Sequence, residues 1–296
     1  MKLRELGEDR LMADLVAGLK SRADVIAGPG DDCAVVAAPG EDRLLLLKTD
    51  CVVERVHFRP NDKPSAVGWK AMARTLSDFA AMSGVPQFAL VTLVSPPDRA
   101  VRWTKELYRG LRQIADRFGV AIVGGETSST DGPVVVSISA LGSVERERWV
   151  SRKGGKPGDP LFVTGKLGGS IRKKHLNFIP RIEEARWLTK NFRIHAMMDV
   201  SDGLGADLPR LAKASAVDFE IDEQLLPRNR GSSIQEAIND GEDYELLFAL
   251  APNDSAALQK KWHKKFPRLL LTRIGRLDRL STIHHHPFFH GFVHFT

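Results

Sequence analysis

At 296 residues the chain is long enough for two domains or one large one, and 43% hydrophobic with 27% charged residues is the balance of a globular protein with a sizeable core. Cys33 and Cys51 are too few and too poorly spaced for a disulfide framework or a zinc site, no apolar stretch approaches the ~20 residues of a membrane span, and residues 1–10 are charged rather than signal-like, so a soluble cytoplasmic protein is expected. The net charge of +6 comes from 43 Lys and Arg scattered among 37 Asp and Glu, which reads as a solvated surface rather than a nucleic-acid or membrane face.

Residues 7–20 read as a short helix, and 33–37 and 43–48 as strands around the Pro39-Gly40 turn. Asp31-Asp32, after Gly28-Pro29-Gly30, therefore leads into a strand, and Asp50 closes the second one. Residues 65–83 form an Ala-rich helical pattern stopped by Gly84 and Pro86. Residues 88–94 read as a strand, 100–118 as an amphipathic helix, 120–123 as a strand ending at Gly124-Gly125, and 133–142 as another strand. Arg, Lys, Gly and Pro crowd residues 145–160, and the domain boundary is placed there, dividing the chain into 1–143 and 144–296. Beyond it come strands at 161–164, 196–200 and 244–250 and helices at 181–188 and 204–214. Strands and helices mix in both halves, an α/β or α+β pattern.

Acidic residues recur at the ends of these elements. Asp31-Asp32 sets two carboxylates side by side, a pair that a cation between them would stabilise or that merely marks a turn. Asp50 either projects into a cleft or caps a turn. Asp78 lies among Leu76, Ser77, Phe79 and Ala80, where a buried carboxylate needs a metal or a partner such as Arg74. Gly124-Gly125-Glu126-Thr127 offers backbone N–H groups beside a carboxylate, or a tight turn. Asp199-Val200-Ser201-Asp202-Gly203 ends a strand and opens a helix, so its polar groups cap that helix or hold phosphate there. Gly241-Glu242-Asp243-Tyr244-Glu245 precedes a strand in the same way, as a site or as plain surface. Singly each pattern is weak; their recurrence points to Mg²⁺ and the phosphates it carries. No Gly-x-x-x-x-Gly-Lys-[Ser/Thr] loop, dinucleotide glycine fingerprint or protein-kinase signature is present, so a nucleotide sits on another fold. His284-His285-His286 reads as a solvated turn.

Together these motifs resemble the thiamine-monophosphate kinase family, within the superfamily of aminoimidazole ribonucleotide synthetase. The matching stretches are Gly30-Asp31-Asp32-Cys33-Ala34, Thr49-Asp50, Val56-His57-Phe58, Leu76 to Met82, Val123 to Thr127, Arg152 to Asp159, Met198 to Leu204, Gly241 to Leu247 and Gly291 to Phe295. The resemblance runs nearly end to end. It implies a two-domain α/β fold, with an N-terminal domain forming a β-barrel across a homodimer and a C-terminal α/β domain completing the active site. It also implies Mg²⁺-dependent transfer of the ATP γ-phosphate to thiamine monophosphate, without a phospho-enzyme. The family pattern puts Asp32, Thr49, Asp50, Asp78, Glu126, Asp199 and Asp202 on Mg²⁺ ions, with Asp50, Asp78 and Asp199 at the centre of catalysis. Tyr108, Gly125, Glu126, Arg152 and Ser201 fall on the ATP side, and His57, Glu242 and Phe289 contact the thiamine substrate.

Three departures stand out. Lys48 occupies a metal-side position where the family has a hydroxyl residue; Glu126 is longer than the usual Asp; and the segment between Gly165 and Arg181 is shorter. Two other readings therefore stay open: a superfamily enzyme with another acceptor, and a non-catalytic nucleotide- or thiamine-binding protein.

Overall fold

The structure, a computed structural model, describes residues 2–38, 40–172, 174–280 and 291. Two short helices, α1 (Leu3–Leu6) and α2 (Glu8–Ala17), lead to β1 (Val25–Ala27), β2 (Ala34–Ala37), β3 (Arg43–Val53), α3 (Pro64–Ala81), β4 (Val85–Ser95), α4 (Val101–Arg117), β5 (Ala121–Ser129) and β6 (Val135–Glu145). Their six strands form one sheet in the order β1-β2-β3-β6-β4-β5, antiparallel except for β4 with β5. The sheet is open, with β1 and β5 as its edges, so the chain by itself closes no barrel among the described residues.

Two strands outrun the expectation. β3 does not end before Asp50, because every residue from Arg43 to Val53 pairs with β6 and the ladder satisfies the backbone throughout. β5 does not stop at Gly124-Gly125: it runs parallel to β4 through both glycines, and a Cβ on Gly125 would lie 1.8 Å from the Val91 carbonyl oxygen. There the glycine permits close strand approach rather than a turn.

α3 is the central element, buried along nearly its whole length and packed against β3 and β6 on one side and the second half of the chain on the other. Its helical neighbour α4 approaches backbone to backbone. A Cβ on Gly68 would lie 2.0 Å from the Leu107 oxygen, and one on Gly110 1.8 Å from the Ser65 oxygen.

The second sheet follows from β7 (Pro160–Thr164), α5 (Ile182–Asn191), β8 (Ile194–Asp199), α6 (Leu204–Ala214), β9 (Asp218–Ile221), α7 (Ile234–Asn239), β10 (Leu246–Leu250), α8 (Ser255–Lys265) and β11 (Leu271–Asp278). Its order is β8-β10-β7-β11-β9, all antiparallel. β7 and β10 are buried at every residue and serve two cores by alternation. Phe162, Leu246 and Phe248 join the core built on α3 and α4, whereas Leu161, Val163, Leu247 and Ala249 pack under α6. The first of these cores contains residues of both sheets. Among the described residues no helix is long and apolar enough to cross a membrane.

Candidate active site

Strand alternation aims Lys48 and Asp50 at α3, while Thr49 between them points to the other face of the sheet, 3.2 Å from the Ser139 hydroxyl. On α3 the only charged residues are Lys70, Arg74 and Asp78, four apart and hence on one stripe of the helix. Strand and stripe meet as two ion pairs: Lys48 Nζ to Asp78 Oδ1 at 3.0 Å, and Arg74 Nε to Asp50 Oδ2 at 3.1 Å. Asp78 is thus satisfied by Lys48, and Arg74, its expected partner, holds Asp50 instead.

Asp32 arrives from the turn before β2, and Asp199 from the end of β8. Oxygens of Asp32, Asp78 and Asp199 lie within 4.8 Å of one another, all three residues buried. Arg152 Nη2 reaches Asp32 Oδ1 at 2.6 Å, its backbone N–H donates to Asp31, and the Ser77 hydroxyl donates to Asp199. Burial, with the Asp32 charge beside it, pushes Asp199 up to about 7. Burial also raises Asp78 well above the carboxylate range; Lys48 opposes the shift, and Asp199, Asp50 and Asp32 add to it. For Lys48, burial disfavours the ammonium, but Asp78, Asp50 and Asp32 outweigh it and the net shift is upward. Three converging hard oxygens with this much repulsion match the donor set of a divalent cation, so Mg²⁺ fits here.

A cavity of about 300 Å³ opens beside the cluster, lined by His57, Arg74, Ser201, Asp202, Glu242 and Tyr244 among others. Cluster and cavity are neighbours along the chain: Asp199 belongs to the cluster and Ser201 and Asp202 line the cavity, and Arg74 on the cavity wall is one helical turn from Asp78. Arg74 Nη1 is buried without a hydrogen-bond partner among the described residues. Below the cavity the fully buried Lys70 ammonium gathers three segments, contacting Glu242 Oε2 at 2.6 Å, His175 Nδ1 at 2.8 Å and the His57 carbonyl. Burial lowers the Lys70 pKa, and the Glu242 charge opposes that shift. Tyr244 stacks on Phe178 with ring centroids 4.0 Å apart.

Several expected ligands stand elsewhere. Asp202 is paired with Arg210 at 2.5 Å. The N–H groups of Ser201 and Asp202 both donate to Asp207 at 2.9 Å, so the start of α6 is capped from within and those donors are not free for phosphate. Burial first, then the neighbouring Asp202, pushes Asp207 up to about 8. Glu126 is exposed on the edge strand β5, one carboxylate oxygen accepting from the Thr127 N–H. Tyr108 packs half-buried against the core from α4 and does not line the cavity. Phe289 and His284 to His286 lie outside the described residues. Missed altogether in the sequence were Lys70, His175, Asp207 and Arg210. For Lys70 a signal existed, the charge stripe on an otherwise uncharged helix.

Residues 30–144 match the family model described as AIR synthase related protein, N-terminal domain, and residues 164–277 match AIR synthase related protein, C-terminal domain. Thiamine-monophosphate kinase of Rhodopirellula baltica is 39% identical over 261 residues, covering 83% of this chain and 82% of that protein. The chain belongs to the thiamine-monophosphate kinase family. The Aquifex aeolicus member is 33% identical over 308 residues, 94% of either chain. A solved structure, AaThiL complexed with AMPPCP and TMP, superposes with a TM-score of 0.85 at 32% identity, covering 99% of both chains. These matches span both halves of the chain, each of which contributes residues to the cluster and to the cavity.

Proposed function

We propose that the chain transfers the γ-phosphoryl group of ATP to thiamine monophosphate, giving thiamine diphosphate and ADP. The observation that carries this is the meeting of the buried Asp32, Asp78 and Asp199 cluster with a cavity that holds Glu242 and an unpaired Arg74 N–H. The family relatives bear the name of that activity, and the superposed structure holds AMPPCP and TMP.

Held by Asp32, Asp78 and Asp199, Mg²⁺ would neutralise phosphate charge as the phosphoryl group moves. The rest falls to the chain's own residues. An oxygen of the acceptor phosphate forms the new P–O bond to the γ-phosphorus while the bond from that phosphorus to the β-bridging oxygen breaks, its electron pair leaving with ADP. A phosphate monoester, with a second pKa near 6, is already ionised at neutral pH, so no side chain has to remove a proton. Arg74, whose other nitrogens are fixed by Asp50, presents Nη1 to the acceptor phosphate. Arg152, pinned to Asp32, and Ser201 serve the nucleotide side, and His57 and Glu242 the thiamine moiety; the family pattern alone adds Tyr108 and Gly125 to the first and Phe289 to the second. Asp50, Asp202, Thr49 and Glu126 would join the metal site only after leaving their present partners or with a second chain nearby.

A homodimer is the natural complement. The sheet face away from α3 leaves Leu47, Phe88, Leu90 and Val123 between 44% and 58% exposed around a cavity of about 610 Å³, and edge strand β5 carries Gly125 and Glu126. A second copy seated there would cover that face and form the two-chain barrel, with residues 1–143 dimerising and 144–296 completing each site in the cytoplasm. Sedimentation should give a dimer, and Leu90→Asp a monomer.

The deciding experiment supplies Mg·ATP and thiamine monophosphate to purified protein and follows thiamine diphosphate and ADP. No turnover across a broad Mg²⁺ range sinks the proposal. Lys48 within the cluster favours one alternative, a non-catalytic binder, which calorimetry would reveal as tight ligand binding with no ADP release.

A further inference from the structure

The carboxylates that face α3 and the cluster are already largely neutralised by the chain itself. Asp32 is paired with Arg152 at 2.6 Å, Asp50 with Arg74 at 3.1 Å, and Asp78 with Lys48 at 3.0 Å. Asp199 alone has a neutral partner, the Ser77 hydroxyl. Among these four carboxylates, Asp32, Asp50, Asp78 and Asp199, the three fixed cations leave a single uncompensated negative charge. One divalent ion overcompensates that charge, and a second would stand unneutralised in a buried site.

Lys48 differs from the two arginines in its place. Arg74 ties α3 to β3 through Asp50, which is not one of the three converging carboxylates. Lys48 instead puts its ammonium on Asp78, one of the three carboxylates whose oxygens converge within 4.8 Å. An ammonium is a compact cation held by its stem, and a carboxylate oxygen that accepts it at 3.0 Å is using electron pairs a metal would need.

We propose that Lys48 is a built-in cation of the catalytic centre, filling a place in the carboxylate cluster that a divalent ion would otherwise take, so that the nucleotide-free protein holds one divalent ion there. This rests on reading Asp32, Asp78 and Asp199 as the metal-bearing centre of the proposed kinase. Further ions needed for turnover then arrive with ATP.

The test is a Mn²⁺ titration of nucleotide-free protein, with free Mn²⁺ read by its electron paramagnetic resonance signal. Wild type is expected to bind one ion per chain at the cluster, identified by its loss in Asp199→Asn. Lys48→Met should gain a second ion or bind the first about ten-fold more tightly, since a cation has been removed beside the site. Lys48→Arg, which keeps the charge and guards against a folding defect in Lys48→Met, should titrate like wild type. Two or more cluster ions in wild type, or a Lys48→Met variant unchanged in both number and affinity, overturns the proposal. Because no turnover is read, its failure is separable from that of the function: one ion bound with the expected Lys48→Met response, but no conversion of thiamine monophosphate, would leave Lys48 in place and remove the kinase reading.

Discussion

Asp78 is held against Lys48 at 3.0 Å with two further buried carboxylates close by, an arrangement that keeps an uncompensated negative charge until a metal ion arrives. Asp78→Asn should therefore abolish turnover while leaving the metal-free melting temperature equal or higher, and Mg²⁺ should stabilise wild type but not the variant; calorimetric scans with and without Mg²⁺ check both. Arg74→Lys keeps a charge near Asp50 but loses the planar fork with its unpaired Nη1. A charge-assisted hydrogen bond contributes roughly 1.5–3 kcal/mol, so the KM for thiamine monophosphate should rise about ten-fold or more, with a smaller change in that for ATP.

Asp243 gives a pH signature away from the metal ligands. It is buried, accepts from the Gly168 N–H at 2.8 Å and from the Ser170 hydroxyl, and burial pushes it up to about 7 from 3.8. The folded state thus binds a proton that the unfolded chain has released between about pH 4 and 7, and this group's contribution to stability falls as pH rises through that window, by at most roughly 4 kcal/mol. In Asp243→Asn the slope should flatten, so that urea midpoints at pH 5 and pH 8 differ less than in wild type.

At the scale of elements, α3 organises the site because one helix stripe carries Lys70 toward the cavity, Arg74 to its wall and Asp78 into the cluster. Its close approach to α4 depends on two glycines, and Gly110→Ala would place a methyl 1.8 Å from the Ser65 oxygen. The expected cost is about 1–3 kcal/mol or more, together with a shift of the stripe that lowers kcat; urea unfolding and kinetics on the same variant test it. Much of this was legible in the sequence: Asp78 stood out as a charge in an apolar helix, and Asp32 and Asp199 sat where a turn met a strand and where a strand ended. What was not legible depended on pairing across the fold. Nothing local says that Arg74 turns to Asp50 rather than to Asp78 one helical turn away, or that Asp207 reaches back to cap its own helix. Gly124-Gly125 looked like a stop because local propensity cannot see the β4 ladder that carries β5 through it.

At the scale of the molecule, the two sheets are joined through buried contacts rather than through a linker alone. The core around α3 and α4 takes Val91 and Ile138 from the first sheet and Phe162 and Phe248 from the second. At its margin Glu145, at the end of β6, receives Arg186 of α5 through two hydrogen bonds of 2.6 Å. Arg186 also donates to the Ser83 carbonyl, just past the end of α3. The Arg186 hydrogen bonds hold Glu145 down to about 2 from 4.5, so this clamp stabilises the fold above the unfolded carboxyl's range and is lost as pH falls toward 2. A shared core makes separate melting of the halves unfavourable, since either half unfolding alone would expose the other's apolar face to water. Wild type should unfold in one calorimetric transition, with far- and near-ultraviolet dichroism coincident. Glu145→Gln should lower the midpoint by a few degrees at pH 7 and by progressively less toward pH 3, while keeping the single transition. Two resolved transitions in wild type would show that the clamp and the common core do not couple the halves, and that the catalytic cluster, built from Asp32 and Asp78 on one side and Asp199 on the other, is lost when one half unfolds while the other stays folded.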